Sequence, residues 1–385
     1  MITVVAFCLT IHARYQCRHA GACCQNWTVQ AEPRVVQLVE QRGIRRSGVN
    51  GPLFVSSINP DLSGAMDVAR DNNGSCVFFE QNGQRLCVIH RDAGVEALPS
   101  ACRHFPRKFL RDARGTFVSL SHFCPTAAAL LLGEHPLGVA EAMPPLMLEE
   151  PVEGLDARDS LPPLLRPEVL CDLEGYDAWE RASIAVLGRK DQSWQAALDH
   201  IGAATERVRD WRPGTSTSLA QHVASAFAAE SDWIPRPGSG PPERDPTSRA
   251  RFTQEQLVAL VWQLARGRVP DDIQPIDGLE DRWRERVGRT VEGYDAVMKN
   301  FVAARLFGNW IAYQGRGLRS VVQWGLAAAA LVRHHLLRRA LDSGRSPGAD
   351  DVMEAIRMSD LILLHVIDTQ AFARACVPLE SIDTA

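Results

Sequence analysis

The spacing of hydrophobic positions changes along the chain, and the changes divide it. From residue 168 onward, apolar residues recur every third or fourth position in long runs: 176–187, 193–208, 253–264, 282–307, 318–341 and 349–376. That spacing lays an apolar face along a helix of about 3.6 residues per turn. Thr253-Gln-Glu-Gln256 opens one run like a capping box. Gly344, Pro347 and Gly348 separate the last two runs. Two breakers interrupt the pattern. Residues 136–167 carry seven prolines and predict an irregular connector, because proline suits neither a helix interior nor a central strand. Residues 231–248 contain Pro235-Arg-Pro-Gly-Ser-Gly-Pro-Pro242 and predict a long exposed loop. Residues 1–133 are turn-rich and of mixed period. The apolar start, with Cys8 and Ile11, reads as a short buried strand, and residues 76–90 read as a β-hairpin about Asn82-Gly83. The pattern predicts an α+β protein: a small cysteine-rich region over 1–133, a connector over 134–167, and a mostly α-helical body over 168–385.

Composition narrows the function classes. The 42 basic and 46 acidic residues leave a net charge of −4, which argues against a nucleic-acid or membrane-surface partner. The apolar run 321–332 is 12 residues long and includes Gln323, whereas a membrane-spanning helix needs about 20. The apolar N-terminus lacks the positive start of an export signal, so a reducing, cytoplasmic setting is expected. No Walker A loop, dinucleotide-binding glycine fingerprint, zincin helix or nucleophile elbow occurs.

Cysteine placement carries the chemistry. Eight of the ten cysteines lie in the first 124 residues. Cys8 sits in an apolar run and reads as a buried hydrophobe. The candidate metal ligands are Cys17, Cys23, Cys24, Cys76, Cys87, Cys102 and Cys124. Clustered thiols in a reducing compartment point to metal or redox chemistry rather than to disulfides. Adjacent cysteines such as Cys23 and Cys24 point in different directions and favour an external ligand. With a two-residue turn at Asn82-Gly83, Phe78 faces Cys87, Cys76 faces Ile89, and the two thiols share one hairpin face about 7 Å apart. Zinc in a four-thiolate site and an iron–sulfur cluster, such as a [4Fe–4S] centre, use the same donors, and spacing does not choose between them. Arg103, His104, Arg107 and Lys108 flank Cys102 as a solvated basic loop or as counter-charges to a thiolate cluster. His90, His104 and His122 each lie within three residues of a candidate cysteine, and Trp27 is placed to shield the site. His334 and His335 read as surface or inter-helix residues.

The order of motifs carries a resemblance. It begins with Tyr15, Cys17, Cys23, Cys24 and Trp27, and continues with Cys76-Val-Phe-Phe79 and Gly83 to His90. Cys102-Arg-His-Phe-Pro-Arg107 and Ser119 to Ala128 complete it. This order resembles the YkgJ-type zinc/iron-chelating cysteine-cluster family, and is most similar to its flagellin lysine-N-methylase branch. The resemblance implies a metal held by these cysteines. For that branch it also implies methyl transfer to protein lysine side chains, with S-adenosylmethionine as donor and a protein such as flagellin as acceptor. The family pattern carries a further cysteine before the Cys-Cys pair. Residues 18–22 are Arg-His-Ala-Gly-Ala here, which leaves His19 as the nearest substitute. No strand followed by a glycine-rich methyl-donor turn is found, so no catalytic residue is assigned. A non-enzymatic metal-binding or electron-transfer protein and a zinc-stapled interaction module are the alternatives.

Overall fold

The computed structural model describes residues 6–18, 21, 24–25, 28–57, 64–80, 87–133, 135–141, 154–229, 251–265, 274–287 and 292–381. The architecture is α+β, 55% helical and 13% strand, with small sheets in the N-terminal region and a helical C-terminal body.

A five-stranded sheet packs one face against the helices. Its order is β7 (Val139–Glu141), β1 (Ala6–Leu9), β6 (Gly115–Leu120), β5 (Arg107–Asp112), β8 (Gly154–Asp156). The expected N-terminal strand is thus present. β5 and β6 form an antiparallel hairpin, in which Asp112 pairs with Gly115 and accepts the Arg114 N–H at 2.8 Å. β1 runs parallel to β6, and β8 parallel to β5. The proline-rich stretch, expected to be irregular, contributes both edge strands. Proline is tolerated beside edges because an edge strand has no second neighbour needing its N–H. Both faces of the central strands are covered. Leu9, Leu110 and Phe117 enter the core of the helical body, whereas Cys8, Phe109 and Val118 pack together separately.

A small cysteine-bearing lobe has a second, smaller core built from residues 29–98. It contains β2 (Gln30–Ala31), β3 (Phe54–Ser56) and β4 (Met66–Val68) in the order β2-β4-β3, all antiparallel. Helix α1 (Pro33–Arg42) starts on a proline, whose missing N–H costs nothing there, and stops at Gly43 in the left-handed conformation. Short helices α2 (Val88–Ala93) and α3 (Ser100–His104) close the lobe, and α4 (Pro125–Leu130) follows the sheet.

The body comprises α5 (Leu173–Gly188), α6 (Trp194–Arg209), α7 (Leu219–Ala228), α8 (Gln254–Ala265), α9 (Leu279–Arg286), α10 (Asp295–Leu306), α11 (Ile311–Gln314), α12 (Leu318–Ser343), α13 (Ala349–Leu361) and α14 (Thr369–Glu380). α12 is the central helix. Neighbours α6, α8, α9, α10, α13 and α14 pack around it, and it is buried almost throughout its length. His334 and His335 lie inside it and are buried, with His334 Nε2 2.7 Å from the Gln274 carbonyl. They are inter-helix residues. Two expected single helices are each divided. The 282–307 run spans α9 and α10. The 349–376 run spans α13, a π-helical turn at Ile362–Val366, and α14, with a bend of 94°. No single helix among the described residues is long and apolar enough to cross a membrane. The proline-rich loop at 231–248 lies outside the described residues.

Candidate metal centre

Each cysteine of the lobe is placed by a local backbone device. Cys24 and Cys76 are adjacent across an irregular antiparallel pairing. The Cys76 N–H donates to the Cys24 carbonyl at 2.8 Å, and Gln25 bridges Ser75. Asp71 shapes the turn before Cys76, its Oδ1 accepting the N–H groups of Asn73 and Ser75, both at 3.0 Å. The chain before Cys24 passes through Gly21 at φ +77°. A Cβ there would stand 2.3 Å from the Phe79 ring, so only glycine fits both the backbone angle and the contact.

Cys87 does not sit where the hairpin expectation put it. Phe79, not Phe78, bridges Cys87, and the chain turns helical at Val88 instead of continuing as a strand. The expected facing of Cys76 and Ile89 is therefore absent. Cys76 bridges Arg70 instead. The turn residues Asn82 and Gly83 lie outside the described residues. Val88 and Ile89 are fully buried in the lobe core, and a helical turn places both against it. Cys102 lies in α3, and Cys124 is the residue before α4, whose first residue is Pro125.

These devices converge. One cavity of about 260 Å³ is lined by Cys17, Cys24, Cys76, Cys87, Cys102 and Cys124. Six of the seven candidate thiols thus surround one space. Cys23, with His19 and Trp27, lies outside the described residues. The described cysteines are thiols rather than disulfides. Cys17 is exposed, Cys124 is buried, and the other four are half-buried. Val29, Val68, Phe78, Ile89 and Leu98 supply apolar wall.

The polar lining is cationic. Arg70, Arg103 and Arg107 face the cavity together with Tyr15 and His90, and the described lining includes no carboxylate. Arg70 carries no signal in the sequence, where a lone arginine beside an Asp-Asn-Asn-Gly turn has no distinguishing spacing. Its guanidinium lies within electrostatic reach of Cys76 and Cys24, and that of Arg107 within reach of Tyr15, Cys17 and Cys124. Arg107 also stacks on Tyr15 at 5.2 Å, and Tyr15 Oη stands 3.6 Å from Cys124 Sγ. Burial pushes the Cys76 thiol up to about 11, and nearby Cys87 adds to the rise, while the Phe78 N–H, Arg70 and Arg46 oppose it. Burial, then Cys124, raise the Tyr15 hydroxyl above its ordinary value. These groups hold their protons at neutral pH, and a metal bound to Cys76 must displace one.

The expected solvated basic loop at 103–108 is only partly so. His104, at the end of α3, is buried with its ring edge-on to Phe109 of β5, and Lys108, on β5 itself, is buried with Nζ 4.6 Å above the Trp310 ring. His122 is also outside the cavity. It is fully buried, with Nε2 3.1 Å from His12 Nε2 and Nδ1 3.0 Å from Asp360 Oδ2. Burial, assisted by Arg305, lowers its affinity for a second proton despite the opposing Asp360.

The donor set fits a thiophilic metal. Soft thiolates select zinc, copper(I) or iron–sulfur clusters, whereas magnesium, calcium and manganese require oxygen ligands that this lining does not present. Three arginines beside the thiols offset the negative charge that thiolate ligation creates. Such a thiol-lined, arginine-flanked cavity defines a cysteine-cluster metal-binding protein. In agreement, residues 16–125 match the model of the CxxCxxCC family, described as a "Putative zinc- or iron-chelating domain". In the pattern that names that family, the second cysteine corresponds to Ala20 here. No curated protein and no solved structure matches the chain.

Proposed function

We propose that the protein carries a polynuclear iron–sulfur centre in the thiol cavity, held by cysteines among Cys17, Cys23, Cys24, Cys76, Cys87, Cys102 and Cys124. The supporting observation is the width of the site. Two thiolates on one tetrahedral zinc, with bonds of about 2.3 Å, stand roughly 3.8 Å apart. Six thiols line the cavity, yet among the described residues no three Cys, His, Asp or Glu side chains are grouped to hold a single ion. A cluster spreads its ligands over several metal atoms and suits such a wide ring of donors. Bound there, it would supply one-electron redox capacity. The chain's own part is to orient the thiols, to shield them with Phe78, Ile89 and Leu98, and to offset their charge with arginines.

Anaerobic purification followed by metal and sulfide analysis tests this reading. Iron with acid-labile sulfide and a broad visible charge-transfer band is the expected result. Zinc alone would replace it with the reading of a zinc-stapled interaction module. Cys24→Ser and Cys102→Ser each lower bound metal, and unchanged metal in both would overturn the ligand assignment. Methyl transfer to protein lysines extends the proposal through the resemblance to flagellin lysine-N-methylases. Labelled S-adenosylmethionine with flagellin tests it, and no transfer by the metal-loaded protein beside a working control enzyme would remove it.

A further inference from the structure

The segment joining β6 to Cys124 is fastened to the helical body at every residue. The Leu120 carbonyl accepts from Arg305 Nη2 at 2.6 Å, and Ser121 Oγ lies 2.9 Å from His365 Nε2 in the π-helical turn. The His122 N–H donates to Asp360 Oδ2 at 2.5 Å, and the same oxygen lies 3.0 Å from His122 Nδ1. The Phe123 carbonyl accepts from Arg357 Nε at 3.2 Å. The partners come from α10, α13 and the π-helical turn, more than 180 residues away in sequence.

Asp360 is the least expendable of them. It grips His122 at two atoms, and neither residue is exposed at all. A buried carboxylate is costly unless paired, and Asp360 Oδ1 lies 3.4 Å from Arg305 Nη1, itself buried. Because the carboxylate accepts from Nδ1–H, neutral His122 turns an Nε2 lone pair toward His12 Nε2–H, 3.1 Å away. Ring, backbone and turn are thereby held in one orientation two residues before Cys124. Mere docking of sheet on helix needs apolar contact, which Phe117 and Phe307 already supply at 5.7 Å between ring centroids. It does not need a buried ion pair directed at one turn.

We infer that Asp360 is a positioning residue for the metal centre: through His122 it fixes the 121–124 turn and so sets where the Cys124 thiol stands in the cavity. The role of Cys124 as a ligand rests on the function proposed above. The placement of its sulfur does not, so the two can fail separately.

Pulse alkylation of the metal-free full chain with N-ethylmaleimide, read by mass spectrometry at each cysteine, tests the placement. Buried Cys171 and Cys376 in the body serve as internal standards for general opening. In Asp360→Ala, Cys124 reacts about tenfold faster than in the wild type while both standards keep their rates. Asp360→Asn, which retains an acceptor for His122, restores most of the protection. In metal-loaded protein, Asp360→Ala gives up metal to a chelator about tenfold faster, the lower end of what a lost supporting contact costs at metal sites. Equal acceleration of Cys124, Cys171 and Cys376 would overturn the inference and leave Asp360 a purely structural residue. So would an unchanged Cys124 rate in Asp360→Ala; where Asp360→Ala does not fold, His122→Leu, which removes the ring contact to Asp360 from the other side, is read by the same rates. A wild type that binds neither iron nor zinc would overturn the metal centre, while the alkylation rates still decide the placement.

Discussion

The helical body and the cysteine lobe differ in what fills their centres. The body surrounds α12 with large side chains, and Trp179, Tyr176, Phe301, Phe307 and Phe372 are fully buried there. Each such aromatic removes about 150–250 Å² from water, so the body is held by its own core. The lobe has strands of two or three residues and a core mainly of valine and alanine, with Ile44, Phe54, Phe78, Ile89 and Leu98 as its larger members. Beside that core lies a cavity of about 260 Å³ ringed by thiols. A unit this small buries too little surface to be secure alone, and metal ligation is a common remedy. The contrast teaches that two regions of one chain can meet the same entropy cost of folding by different means. The body uses apolar area, whereas in our reading the lobe uses ligand bonds that require their partner to be present.

Removing the metal is the strongest way to break this comparison. Structural metal sites in small modules contribute on the order of 10 kcal/mol to folding. Chelation should therefore abolish hydrogen-exchange protection around Cys76 and Cys87 and leave α12 protected. Parallel loss in both regions would make the chain a single cooperative unit. Next in size, Trp179→Ala should cost about 3–5 kcal/mol in denaturant unfolding, through lost burial and the lost 3.0 Å hydrogen bond from Nε1 to Thr205. The metal content per folded molecule should not change, and a fall in it would show that the body's core supports the site directly. Gly21→Ala acts in the opposite region. A left-handed residue with a Cβ costs about 1–2 kcal/mol even before the clash with Phe79. It should speed metal release without shifting the body's unfolding transition, and unchanged release would dismiss the Gly21 turn as a support of the site.

The smallest effect sharpens the picture of the body's surface. Arg345, the Gly348 N–H and Arg339 hold the Asp351 carboxyl well below the usual carboxylate range. A carboxyl lowered in the folded state stabilises above its ordinary value of about 3.9 and loses that contribution as pH falls toward the folded value. The arginines are about half exposed, so solvent screens the pairs, and Asp351→Asn should cost only about 0.5–1 kcal/mol at neutral pH. The deficit relative to wild type should shrink in acid. A deficit independent of pH would assign Asp351 a packing role instead.

Legibility followed the length of each pattern. The 318–341 run reads as a helix because its apolar spacing persists over many turns, and α12 extends only two residues beyond it. The break after α13 carries no glycine or proline. It arises where His365 meets Ser121 and where Asp368 caps the next helix by accepting the Gln370 N–H at 2.8 Å. The first contact is remote in sequence, and the second is a local helix cap that interrupts no apolar period. The cavity cysteines were legible as a set, since residue type and order carry the signal. Arg70 was not, because counter-charge is a matter of position. Asp360 left a faint sign: Ser359-Asp360 interrupts an apolar stripe, where a polar residue is either a fault in the core or the anchor of something remote.

By itself, the sequence determined the long helical runs and the set of candidate thiols, because these depend on residue type and on repeats within one element. Only the tertiary structure decided that six of those thiols share one space, that Cys87 meets Phe79 rather than Phe78, and that the turn leading to Cys124 is held from the far end of the chain. Those facts depend on which surfaces exclude water together, and that is a property of the packed molecule, which no single stretch of sequence contains.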